Sequence, residues 1–139
     1  MRDFQAVENE IHVSINSDQD IVAARQKGRY LASALGFSVG DATLIATAIS
    51  ELARNIVTYA KSGQIQLTVI NGSARQGIQL VACDKGPGIR DIQQALRDGF
   101  STSGSLGLGL PGVKRIMDEF EIVSAATTGT TVTAKKWKS

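Results

Sequence analysis

Cysteine, histidine, net charge and long apolar segments are all scarce in this 139-residue chain, and each scarcity excludes something. A single cysteine, Cys83, permits no internal disulfide, and its place inside an apolar run fits a reducing cytosol. The one histidine, His12, has no cysteine, aspartate or second histidine at metal-ligand spacing, so no role as a ligand or catalyst is expected of it. Fifteen basic residues against thirteen acidic ones leave a net charge of +2. That is too small to point to nucleic acid or an anionic membrane as the partner. Lys135, Lys136 and Lys138 read as a solvated strand end. The chain opens with Arg2 and Asp3 and has no continuous apolar segment there, so neither a signal peptide nor a membrane span is expected. Neither a repeat nor a linker interrupts the pattern, and residues 1–139 are expected to form one domain with a real core.

What is present is ordered by period. Ile11, Val13 and Ile15 alternate with His12, Ser14 and Asn16, which predicts a half-buried first strand with His12 turned away from the core. Ser17 and Asp20 have the spacing of a capping box ahead of a helix that Gly36 stops. A second helix is predicted from about Asp41 to Ala60, ended by Gly63, with Leu44, Ile45, Ala48, Ile49, Leu52, Ala53 and Ile56 as its apolar stripe. Ile65, Leu67 and Val69, the Asn71-Gly72 turn and the run Ile78 to Cys83 predict an antiparallel pair. Asp91 to Asp98 has short helical spacing. Pro111 then stands near the first turn of another helix, with Val113, Ile116, Met117 and Phe120 inward. Glu121 to Ala126 and Thr130 to Trp137 close the chain as a hairpin. Short turns between neighbouring strands favour a two-layer α/β (α+β) sandwich. Its sheet is mixed but mainly antiparallel, of about five strands, with helices on one face.

Three places carry chemistry. Glu51 and Asn55 lie one turn apart on one flank of the second helix, where a plain polar flank is the alternative. Asp84 ends an apolar strand and is followed by Gly86 and Gly88, which clear space above it; an ordinary turn has the same composition. Five of the fourteen residues in GFSTSGSLGLGLPG (99–112) are glycine. Such a run before a helix aims several N–H groups at one point and suits a phosphate, although a flexible linker looks similar.

Glu51-x-x-x-Asn55 on a helix, Asp84-x-Gly86-x-Gly88 after a strand and Gly107-x-Gly109 opening a helix occur in that order. This arrangement resembles the Bergerat ATP-binding fold shared by gyrase-type ATPases, histidine kinases and anti-sigma-factor kinases. The phrases ISELARNI (49–56), DKGPGI (84–89) and GLGLPGVKRIMDEFEI (107–122) resemble the RsbT-type switch serine/threonine kinases of bacterial stress signalling. The resemblance covers nearly the whole chain and is weakest before about residue 18 and in the 71–77 loop. It implies that ATP and Mg²⁺ are the cofactors. Asp84 would accept a hydrogen bond from the adenine amino group, a donor that guanine lacks there, with Gly86 and Gly88 admitting the purine. Thr131 matches a threonine that helps hold adenine in related proteins; an ordinary strand residue is the alternative. Asn55 would offer its amide oxygen to Mg²⁺, which takes few protein ligands. Glu51 would orient or deprotonate the attacking hydroxyl. Ser103 and Gly104 of the lid, with the main-chain amides of Leu106, Gly107, Leu108, Gly109 and Leu110, would hold the phosphates. The lid arginine frequent among relatives is missing from Ser103-Gly104-Ser105.

The implied activity is phosphorylation of a serine or threonine on a STAS-domain scaffold or antagonist protein in the cytoplasm. Release then lets the kinase bind and activate a PP2C-type phosphatase. The alternative is a nucleotide-gated binding module, such as an anti-sigma factor, with little turnover. A histidine kinase would need a helical hairpin bearing a phosphoacceptor histidine, whereas His12 lies in a predicted strand. A gyrase-type ATPase would need a second domain. Arg54 is open between a catalytic and a partner-binding or solvated role. Lys114 and Arg115 are either phosphate contacts or, by preference, surface charges.

Overall fold

Alternating residues build the sheet, and helical stripes cover one of its faces. In the computed structural model, which describes residues 10–86, 109–125 and 129–138, strand β1 (Glu10–Ile15) buries Val13 and Ile15 and exposes His12 and Ser14. Helices α1 (Asp18–Ala34) and α2 (Val39–Asn55) follow, and a single wide π-turn, Ile56–Ala60, extends α2. Strands β2 (Gly63–Asn71) and β3 (Gln76–Asp84), helix α3 (Gly109–Ile116) and strands β4 (Glu119–Ala125) and β5 (Gly129–Trp137) complete the order. The sheet runs β1-β2-β3-β5-β4 and every neighbouring pair is antiparallel, in keeping with the mainly antiparallel sheet expected from the pattern, with no parallel pair among the described strands. The predicted helix at Asp91–Asp98 lies outside the described residues.

One core joins the two layers. Ile45, Ile49 and Leu52 of α2 meet Ile65 and Leu67 of β2 and Ile78 and Leu80 of β3 in a single cluster, all fully or almost fully buried. Burial of that many apolar side chains is the main force holding the helices to the sheet. Among the described residues no helix is long and apolar enough to cross a membrane.

The element boundaries have local causes. Ser17 precedes α1 but its hydroxyl caps nothing; the Asp20 carboxylate accepts instead from the Asn16 amide at 2.8 Å. At the other end Gly36 has φ +90°, and the Phe37 and Gly36 amides donate to the carbonyls of Ala32 and Ser33, a Schellman closure with Phe37 buried beneath it. Ser38 caps α2 by accepting from the Asp41 amide at 3.1 Å. The regular part of α2 closes at Asn55, the chain widens into the π-turn through Ala60, the end expected from the sequence, and leaves it at Lys61, whose φ is 72°. Gly63, expected as the stop, is already the first residue of β2. Phe120 belongs to β4, not to the helix before it, since α3 closes at Ile116. The basic tail is not simply solvated either. Lys136 is buried, with its ammonium donating to the Ile116 carbonyl at the end of α3, and Lys138 donates to the Leu35 carbonyl at the end of α1.

Candidate functional site

The last turn of α2 carries a carboxylate that ordinary packing would avoid. Glu51 is only 5% exposed, so both oxygens need partners to offset desolvation. Oε2 accepts from Arg54 Nη1 at 2.7 Å, a pair three residues apart on one helix face. Oε1 accepts from the Gly109 amide at 3.1 Å. That amide belongs to the first turn of α3, where N–H groups have no partner within the helix and the dipole favours an anion. Asn55, one turn beyond Glu51, is half-buried, and its side chain has no hydrogen-bond partner among the described residues.

A second cluster forms where β3 ends. Asp84 Oδ1 accepts from the Gly86 amide at 2.9 Å and from the Thr130 amide at 3.3 Å, while Oδ2 accepts nothing among the described residues. The start of β5 comes so close that a Cβ on Gly129 would lie 2.0 Å from the Asp84 carbonyl oxygen, and its φ of +82° is glycine's own region. A Cβ on Gly86 would lie 2.7 Å from the Ala60 Cβ, so the space that this glycine clears belongs partly to the π-turn. The two clusters are linked through that turn. Ile56, which directly follows Asn55, and the Asp84 side chain both flank Gly63, where an added Cβ would meet them at 2.9 and 3.1 Å.

The structure thus joins Glu51 to Gly109, and Asp84 to Gly86, with the π-turn between the pairs. Leu110 is buried beside Gly109. Gly88, Ser103, Gly104, Leu106, Gly107 and Leu108 lie outside the described residues. Lys114 and Arg115 are exposed on α3.

Thr131 and Thr130 take opposite faces of β5. In β5, Val132 and Ala134 face the core, so Thr131 takes the helix-free face, where its hydroxyl lies 3.8 Å from Cys83 Sγ. There it lines an open depression of about 610 Å³ together with Ser14, Gln64, Cys83 and Asp84. Thr130 takes the helix side instead: it is buried, its amide meets Asp84 and its hydroxyl bonds to the Ser124 hydroxyl at 2.8 Å. Strand parity was the signal that separates the two threonines. For Arg54 the signal was its three-residue spacing from a buried glutamate.

Helices on one face of an antiparallel sheet, with Glu51 and Asn55 of α2 and Asp84 of β3 separated by the π-turn, frame the candidate site. The chain belongs to the histidine kinase-like ATPase domain family, which matches residues 16–136. Within it, the chain is 54% identical to the serine/threonine-protein kinase RsbT of Bacillus subtilis (strain 168), over 125 residues that cover 90% of this chain and 94% of that one. It is 30% identical to the anti-sigma F factor of Geobacillus kaustophilus over 138 residues, 92% of either chain. Its fold is similar to that of the mycobacterial sensor histidine kinase MprB, with a TM-score of 0.55, 19% identity and coverage of 92% and 98% of the two chains. At that identity the likeness concerns the fold alone.

Proposed function

We propose that this chain is a protein serine/threonine kinase that moves the γ-phosphate of ATP to a hydroxyl on a protein partner. The observation that carries the reaction class is the 54% identity to a serine/threonine-protein kinase along nearly all of both chains. The site geometry supports the division of labour. Asp84 uses one oxygen to hold its own loop and the start of β5, and offers the other to the adenine amino group, with Thr130 beside it. Gly86 and Gly88 give the purine room. The amides of Leu106 to Leu110, with Ser103 and Gly104, take the phosphates at the start of α3. Asn55 contributes one oxygen to Mg²⁺, which when bound neutralises charge on the transferring group. Glu51 accepts the proton of the attacking hydroxyl.

Partners follow from the resemblance: STAS-domain proteins as phosphoacceptors, and a PP2C-type phosphatase bound after release, in the cytoplasm. The likeness to anti-sigma F factors favours one alternative, a nucleotide-gated grip on a partner with little turnover. Co-purification from the native cytoplasm, followed by ATP labelled on its γ-phosphate, separates the two. Transfer to a serine or threonine of the partner is expected. Glu51→Ala should lower its rate by about 10²–10⁴-fold while nucleotide affinity stays near wild type. Full phosphorylation by that variant would remove Glu51 from the mechanism. Partner binding that follows the nucleotide without any transfer would favour the gated module.

A further inference from the structure

The two oxygens of Glu51 are held by groups that differ in permanence. Gly109 belongs to α3, and its amide is one of those assigned above to phosphate. Arg54 belongs to Glu51's own helix, so its 2.7 Å bond does not depend on where α3 stands. Among the described residues it is the one cation within ion-pair distance of Glu51, whose side chain is 6% exposed against 35% for the arginine. We propose that Arg54 is the positioning residue of the transfer site: it anchors Oε2, so that Oε1 is the working oxygen. The inference rests on the role given above to Glu51.

The geometry supplies the reason. In this structure the carboxylate is the anion at the start of α3. When phosphate takes the Gly109 amide, Oε1 loses its partner while still aimed at the place where phosphate sits. Without Arg54 the carboxylate would at that moment be buried with no partner from its own helix, free to turn away or drive α3 off. With it, one rotamer persists. The acceptor hydroxyl then gives its proton to Oε1 as its oxygen bonds to the γ-phosphorus, while the bond from that phosphorus to the bridging oxygen breaks and ADP leaves.

The test uses the full chain with Mg·ATP and the co-purified acceptor, comparing Arg54→Ala, Arg54→Lys and Glu51→Ala. Arg54→Ala should slow transfer at saturating ATP by about 10²-fold, the scale of a small misplacement of a reacting group, while the ATP dissociation constant holds. Arg54→Lys should regain part of the rate, since it restores the charge but not the planar fork. Added to Glu51→Ala, the arginine change should cause no further loss. Thermal melting checks folding; should Arg54→Ala not fold, Arg54→Lys and Arg54→Gln decide by the same split between rate and affinity. Wild-type transfer by these variants beside an inactive Glu51→Ala overturns the positioning role and leaves the kinase reading intact. Loss confined to ATP affinity also overturns it. Full transfer by Glu51→Ala sinks the base assignment itself, and the inference with it.

Discussion

The two oxygens of Asp84 have different obligations, and an isosteric change separates them. In Asp84→Asn the amide oxygen can replace Oδ1 and keep both amide bonds, from Gly86 and Thr130. The new NH₂ then stands where Oδ2 stood and meets the adenine amino group donor to donor. The variant should therefore fold, yet lose a hydrogen bond to a charged group of about 1.5–3 kcal/mol, roughly ten- to a hundredfold in ATP dissociation constant by calorimetric titration. Unchanged affinity would refute the adenine role. Thr131→Ala should leave the same titration unaltered, because its hydroxyl faces Cys83 across the other side of the sheet. At this scale the sequence showed Glu51, Asn55 and Asp84 as residues worth testing, and it named Thr131 where the structure puts the Thr130 amide on Asp84. Adjacent residues of a strand point to opposite faces, so in a Thr-Thr pair a shift of one position changes sides entirely. Arg54 was open in the sequence between a catalytic and a partner-binding or solvated role. Its meaning depends on Glu51 being buried and bonded to the start of α3, 58 residues further along.

Between elements, one close contact lies where α1 crosses α2. A Cβ on Gly28 would sit 2.0 Å from Ile49 Cδ1 and 3.9 Å from Leu67 Cδ1, at a position where α1 must come close to reach the sheet. Ile49 is fully buried, so its side chain has nowhere to withdraw without disturbing neighbours. Gly28→Ala gains about 1 kcal/mol of helix propensity and loses about 1–3 kcal/mol to overpacking. The net expectation is a loss on the order of 1 kcal/mol in urea unfolding. Ile49→Val alone should cost about 0.5–1.5 kcal/mol, yet it removes the clashing carbon. The double variant should then be more stable than the sum of the singles predicts. Strict additivity would show that the two sites do not meet. The elements themselves were largely legible, because period-two alternation in β1, β2 and β5 and the stripe of α2 are imposed by burial on one face. Their ends were less so. The π-turn after Asn55 and the break before Phe120 are set by what packs around them, which no local period encodes.

Across the whole molecule, the candidate site draws on α2, β3, β5 and α3, elements that share one core and are far apart in the chain. A ligand seated there binds only when all of them are assembled, so its binding energy is coupled to global folding rather than to one loop. For one domain spanning residues 1–139, thermal unfolding should be a single cooperative transition. Mg·ATP at a hundred times its dissociation constant should stabilise the native state by about 2.7 kcal/mol. With a few degrees per kcal/mol for a chain of this size, the midpoint should rise on the order of 10 °C. Asp84→Asn at the same ATP concentration should gain only about 0.4–1.4 kcal/mol, at most roughly half of that rise, and regain the rest as ATP is increased, since the fold is intact and only affinity has dropped. Differential scanning calorimetry across an ATP series measures both. Two separable transitions, only one of them responding to nucleotide, would mean that the site and the core are not one cooperative unit.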